Sequence, residues 1–310
     1  MTHAGWGPGV IPPQAGRLAV VTGGSGGLGY EIALGLAQQC ADVILAGRNE
    51  ARGRAAAGKI RALAPNALVR YERLDLADLA SVNAFAARLT AGGRAVDLLI
   101  NNAGVMALPN RQLTADGFEM QLGVNYLGHF ALAARLLPLL RLSRYARVVQ
   151  MSSLAHRWGR IRLDDLNSER GYRPWVAYCQ SKLAMVLFAR ELQRRSSEGD
   201  WGLLSCAVHP GYAQTELFSN GPGKRSAASL LSGSVGRVLS HSAAEGAQAA
   251  LFAATSMDVA PGGFYGPVGA MGLTGEPGVA GISKRGMDEV MGRNLWGEAE
   301  KMTGVVWAEG

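Results

Sequence analysis

Lysine and cysteine are scarce in this 310-residue chain, and long apolar runs are missing. Of the 31 basic residues only 5 are Lys, so the remaining 26 are Arg. No five like charges follow one another, which argues against a nucleic-acid-binding tail. The formal charge of +7 reads as a solvated surface, with attraction of an anionic cofactor or substrate as the sharper alternative. The cysteines are Cys40, Cys179 and Cys206. An odd count without a CxxC pair argues against a disulfide framework and a zinc site, and fits a reducing compartment. Cys179 has apolar helix neighbours and reads as an inert packed thiol. His3, His129 and His241 show neither HxH nor HxxxH spacing, so no metal is expected. His156, near Ser153, reads as a loop hydrogen bonder, with a place in the substrate-pocket lining as the alternative, and His209, before Pro210-Gly211, as structural. No uninterrupted apolar run approaches the roughly 18 residues of a membrane span. The opening stretch, MTHAGWGPGVIPPQAG, has no basic-then-apolar leader pattern. The expected location is the cytoplasm.

What the chain does have is glycine, 42 residues of it, and a 48% hydrophobic composition that can fill a large core. Residues 1–15 are Gly/Pro-rich and read as a flexible arm. From residue 16 to 310 one domain is expected. Apolar strands at 17–22, 42–46, 69–74, 97–101, 147–151 and 203–208 alternate with helices at 27–40, 50–64, 78–91, 116–141, 175–195 and 243–255. The segment 262–267 offers a short last strand. Six or seven strands alternating with helices predict a single doubly wound parallel α/β sheet of Rossmann type, covered on both faces. The Ser/Gly-rich stretch 217–241 follows a strand. It reads as a substrate flap near the C-terminal part, or as an ordinary surface loop.

Chemistry concentrates at the strand ends. VVTGGSGGLG closes the first strand, where Gly23, Ser25, Gly27, Leu28 and Gly29 turn the chain into a helix. Glycines there let a pyrophosphate approach the backbone, and the helix N-terminus offers N–H groups. The second strand ends Ala46-Gly47-Arg48 without a carboxylate at its tip. An Arg at this place suits a 2′-phosphate, which predicts NADP(H) over NAD(H); the plainer reading is a surface Arg. Asp75 and Leu76 close the third strand, where Asp75 either accepts from an adenine amino group or caps the next helix. LLINNAG brings Asn102, Ala103 and Gly104 to the end of the fourth strand. Tyr178 and Lys182 lie four residues apart on one helix face, where an ammonium can lower the pKa of a phenol.

The ordered set TGxxxGxG, NNAG, a Ser-Ser after the fifth strand, YxxxK and HPGYAQT resembles the short-chain dehydrogenase/reductase family over roughly residues 16–270. The long segment between the serines and the tyrosine is similar to the retinol dehydrogenase and WW-domain oxidoreductase branch, here without WW domains. The resemblance implies an oxidoreductase that interconverts a carbonyl and an alcohol. Tyr178 matches the general acid, and Lys182 the residue that depresses its pKa and binds ribose. Ser153, rather than Ser152, matches the hydrogen bonder to the substrate oxygen, and Asn125 the helix residue that holds a relay water. Pro210, Gly211 and Thr215 match residues near the nicotinamide. Met106, Leu154, Tyr212 and the flap are expected to shape a lipophilic pocket. The partner implied is a small carbonyl or alcohol substrate, with no nucleic acid. A homo-oligomer through the long helices is a further expectation. The competing reading is a dinucleotide sensor or scaffold that keeps the fold without turnover.

Overall fold

A computed structural model describes residues 6, 10–211 and 242–307. Strand β1 (Leu18–Thr22) is buried at every position and leads into α1 (Gly27–Gln38). There follow β2 (Asp42–Gly47), α2 (Glu50–Leu63), β3 (Val69–Arg73), α3 (Leu79–Ala91) and β4 (Leu98–Asn101). Helix α4 has three parts: a turn Met120–Leu122, a π-helical stretch Gly123–Leu127 and a regular segment Gly128–Arg141. Then come β5 (Arg147–Met151), α5 (Pro174–Glu198), β6 (Leu204–Val208) and α6 (Ala243–Thr255). The chain closes with β7 (Phe264–Pro267), β8 (Pro277–Val279) and α7 (Glu289–Thr303).

The sheet order is β3-β2-β1-β4-β5-β6-β7-β8. The first seven strands pair in parallel, which needs a crossover after each strand and explains the alternation with helices. The expectation of an all-parallel sheet is corrected at β8, which pairs antiparallel with β7. A short return through residues 268–276 suffices for that, so no helix is required. The expected start of α4 also moves, from 116 to 120, because Leu113 and Glu119 form a bridge across the turn before it.

Alternate strand positions feed two cores. On one face Val20, Ile44, Leu99 and Val148 pack against α3, α4, α5 and α7. On the other, Val21, Leu45, Ile100 and Val149 pack against α1, α2 and α6. Trp296 and Trp307, which sequence patterning left without a role, close the first core. Their rings lie 4.6 Å apart and reach Phe130 on α4 and Phe188 on α5. Within the segment expected as an arm, Ile11 is buried in the second core and Trp6 meets Phe252 edge-on at 5.0 Å. The flap 217–241, Tyr212 and Thr215 lie outside the described residues. No helix among the described residues is long and apolar enough to cross a membrane, and no cluster there could hold a metal.

Candidate active site

The strand order reverses between β1 and β4, and ligands of open α/β sheets bind outside the carboxyl ends at such a point. A cavity of about 610 Å³ lies there. One end is lined by Gly23, Ser25, Gly27, Leu28 and Gly29, with Arg48, Asp75 and Leu76 beside them. Asn102, Ala103 and Gly104 form its middle, and Ser153, Tyr178, Lys182, Pro210 and Gly211 its other end.

The glycine end is built for an anion. Gly23 adopts φ +66°, and a Cβ at Gly29 would stand 2.3 Å from the Gly23 oxygen. Only glycine lets α1 start this close to the turn. Helix α1 has no side-chain N-cap and no acidic residue in its first turn, so its N-terminal donors and positive dipole end are not spent on its own side chains. These features fit a dinucleotide pyrophosphate. The β2 end carries two cations on the cavity, Arg48 and Arg52. Arg52 was missed in the sequence, although it stands four residues beyond Arg48 at the start of α2. Glu50, the nearest carboxylate in the chain, pairs with Arg54 instead. Asp75 lines the cavity while one of its oxygens accepts from Ala77 N at 3.0 Å; the cap of α3 is Asp78.

At the other end of the cavity the two serines differ in what they bind. Ser152 donates to the Lys182 carbonyl at 2.7 Å and is buried, so its hydroxyl holds α5 against β5. Ser153 caps the following 3₁₀ turn, accepting from Ala155 N at 3.2 Å, and its hydroxyl lines the cavity together with the Tyr178 phenol. Burial pushes Tyr178 up to about 12, and the Ser153 hydroxyl opposes it. Burial also draws Lys182 down to about 8. The lysine ammonium donates to the Met151 carbonyl at 3.0 Å and sits 5.7 Å from the Tyr178 ring centroid. Desolvation is the leading influence on both groups, favouring the neutral phenol and the neutral amine.

Asn125 lies in the π-helical stretch of α4, wholly buried and behind the cavity wall. Its side-chain oxygen accepts from Val105 N at 2.8 Å. Its amide donates to the Val105 carbonyl at 3.0 Å and to the Ser181 hydroxyl at 2.9 Å. The amide is thus spent on Val105, a wall residue, and on the neighbour of Lys182. Met106 and Leu154 line the cavity as expected, together with Trp158, Trp175 and Leu273. Trp158 and Trp175 are largely exposed, and the Trp175 ring lies 5.5 Å from that of Tyr178. Both indoles fall in the long Ser–Tyr segment, and nothing in their local pattern marked them.

A glycine cradle at the switch point of a doubly wound sheet, facing a Ser–Tyr–Lys end, defines a Rossmann-type oxidoreductase. The profile described as short chain dehydrogenase matches residues 17–225, and the chain belongs to that family. Retinol dehydrogenase 13 of Homo sapiens is 47% identical over 213 residues, covering 67% of this chain and 63% of that protein. Retinol dehydrogenase 11 of Mus musculus is 40% identical over 285 residues, covering 91% of this chain and 84% of its own length. The polyprenol dehydrogenase of Mus musculus is 40% identical over 304 residues, covering 96% and 87%. These relatives place the chain in the retinol dehydrogenase-like branch. Among solved structures, an uncharacterized protein from Mycobacterium Paratuberculosis is 40% identical with a TM-score of 0.81, covering 98% of this chain and 99% of that one. The Pseudomonas aeruginosa RhlG/NADP active-site complex is 25% identical with a TM-score of 0.64, covering 81% and 94%.

Proposed function

We propose that the chain is an NADPH-dependent oxidoreductase that interconverts a lipophilic aldehyde or ketone and its alcohol. The observation that carries this reading is a single cavity with Ser153, Tyr178 and Lys182 at one end and the glycine turn at the other. In this reading the turn Gly23–Gly29 holds the pyrophosphate. Arg48, with Arg52 beside it, takes the 2′-phosphate, because no carboxylate stands at the β2 tip to favour a free 2′-hydroxyl. Asp75 and Leu76 flank the adenine. Asn102 to Gly104 and Lys182 face the ribose, and Pro210 and Gly211 the nicotinamide. When bound, the dinucleotide supplies or accepts the hydride.

The protein's own part is to bind, orient and move one proton. Negative charge grows on the substrate oxygen during reduction, and the Ser153 and Tyr178 hydroxyls are the donors placed to meet it. A phenol held at about 12 stays protonated at neutral pH, so Tyr178 begins reduction as a ready acid. Lys182, at about 8, is mainly charged at neutral pH and steadies the phenolate that forms. The apolar walls Met106, Leu154, Trp158, Trp175 and Leu273 support a lipophilic substrate. The names retinol dehydrogenase and polyprenol dehydrogenase point the same way, since both alcohols are long and apolar. The three thiols are free, which is consistent with the cytoplasm as the place of action. The small-molecule substrate is the partner proposed, and self-association through the long helices remains part of this reading.

Calorimetric titration with NADPH and with NADH is the test. NADPH should bind at least about tenfold more tightly, a difference near 1.4 kcal/mol, and Arg48→Asp should abolish the preference. Tyr178→Phe should keep NADPH binding and lower carbonyl reduction by about 10²–10⁴-fold. Full NADPH preference in Arg48→Asp would refute the 2′-phosphate assignment. Binding without turnover in the wild type, across a panel of lipophilic carbonyls, would favour a sensor.

A further inference from the structure

His129 is wholly buried on α4, one turn after Asn125, and has no part in the proton transfer above. Its two ring nitrogens reach different parts of the site. Nε2 lies 2.9 Å from the Thr22 hydroxyl at the end of β1, and Nδ1 lies 3.0 Å from the Asn125 carbonyl. A carbonyl only accepts, so Nδ1 carries the proton. In a neutral ring Nε2 is then an acceptor, and the Thr22 hydroxyl donates to it.

That assignment closes the hydrogen bonding around Thr22. Its oxygen accepts from Asn102 N and Ala103 N, each at 2.9 Å, and its single proton has two acceptors in reach, the Ile100 carbonyl at 3.3 Å and His129 Nε2 at 2.9 Å, of which His129 is the nearer. The Asn102 amide donates to the Thr22 carbonyl at 2.8 Å. Thr22 therefore fixes the turn that lines the middle of the cavity and immediately precedes Gly23. From His129 the chain of bonds continues the other way. Asn125 donates to the Ser181 hydroxyl, and Ser181 donates to the Tyr178 carbonyl at 2.8 Å. One buried path thus runs from the glycine turn through β1, α4 and α5 to the backbone of the tyrosine. His129 is the member that joins its two halves.

We propose that His129 is a positioning residue, which locks the dinucleotide cradle to the catalytic helix by hydrogen-bonding Thr22 and Asn125 together. The dinucleotide half of this statement rests on the function proposed above; the coupling itself does not. Two conservative variants separate the contacts. The amide nitrogen of Asn in His129→Asn can take the place of Nδ1 and keep the bond to Asn125. The longer amide of His129→Gln can take the place of Nε2 and keep the bond to Thr22. His129→Phe removes both.

The first measurement needs no cofactor. In wild-type protein labelled with ¹⁵N-histidine, the His129 ring should show a proton on Nδ1 and none on Nε2. The Asn102 and Ala103 amides should exchange with solvent at least about tenfold faster in His129→Asn than in His129→Gln. The second measurement uses NADPH. His129→Gln should keep the NADPH Kd within about threefold of wild type and lose about tenfold in kcat at saturating NADPH. His129→Asn should show the reverse: a Kd raised about tenfold and kcat nearly kept. His129→Phe should lose both. An Nε2-protonated neutral ring in the wild type would overturn the proposal whatever the variants do. So would Asn and Gln variants that exchange alike. A wild type that fails to bind NADPH would count against the functional reading alone, since the ring and exchange results decide the coupling without it.

Discussion

Replacing Gly29 by Ala adds one methyl at the narrowest point of the cradle. The new Cβ would stand 2.3 Å from the Gly23 oxygen, 2.6 Å from the Asn102 amide nitrogen and 2.8 Å from the Gly23 carbon. A carbon–oxygen contact relaxes only at roughly 3.3 Å, so α1 must back away from the turn by about 1 Å. Two of the three opposing atoms are backbone, and the Asn102 amide is tied to Thr22, so no flexible side chain can absorb the shift. Overpacking of this kind costs about 1–3 kcal/mol, against about 1 kcal/mol gained from the better helix propensity of Ala. The net loss of stability should be about 0–2 kcal/mol, which a large domain tolerates. Binding should suffer more. A displacement of about 1 Å in groups that must meet a ligand together can cost on the order of a hundredfold. Urea denaturation and NADPH titration of the same preparation separate the two quantities. Gly297→Ala is the control, because nothing lies within 4 Å of its would-be Cβ and it sits in α7. That variant should gain up to about 1 kcal/mol and bind as wild type does. A Gly29→Ala protein with unchanged NADPH affinity would refute the argument that this glycine exists for close approach.

Trp307→Ala should cost about 3–5 kcal/mol in chemical denaturation, since the ring is buried among Trp296, Trp201, Phe130 and Phe188; a loss under about 1 kcal/mol would contradict it. Acid should destabilise the fold through His129, which burial holds down at about 4 against an ordinary value near 6.5. The unfolded chain takes up this proton first. The contribution is therefore complete above about pH 6.5, shrinks as pH falls, and is gone below about pH 4, a loss of about 3 kcal/mol in all. Stability curves of wild type and His129→Gln should converge as pH drops through that window. Ser152→Ala should lower stability by about 1 kcal/mol through the lost bond to the Lys182 carbonyl and leave the cavity hydroxyl in place, whereas Ser153→Ala should cost a similar amount through the lost cap on Ala155 N and in addition cut turnover.

Sequence patterning located the strands and most helices well where apolar periodicity is set by one sheet. The segments 147–151 and 243–255 coincide with β5 and α6. It failed where structure depends on distant packing. Helix α7 carries a single buried stripe of Leu295, Trp296 and Ala299, and its partners lie on α4 and α5, far away in the chain. Strand β8 is three residues long and exists only by pairing with β7. The residues lining the candidate site were legible because strand-end motifs carry them in order. The rest of the site was not. His129 gains its meaning from Thr22, 107 residues earlier, and an isolated histidine in an apolar helix gives no hint of that bond. Likewise Tyr178 and Lys182 sit four apart as read, but the depth of their burial, which governs both pKa values, is a property of the assembled core.

The two margins of the sheet bear on how copies of this chain can meet. At one margin, β3 presents Arg70, Glu72 and Arg73, with Arg70 and Arg88 paired to Glu72. Charged side chains on an edge strand oppose docking of another strand, since the newcomer would have to desolvate them. At the other margin, β8 is short, begins with Pro277 and runs against the grain of its neighbours. A proline there withholds a donor, and three residues offer little ladder to extend. Among the described residues, neither rim offers a strand edge suited to templated growth. Pairing of copies edge to edge is thus disfavoured at both rims of the described sheet, and helical faces are what is left for copies to meet on.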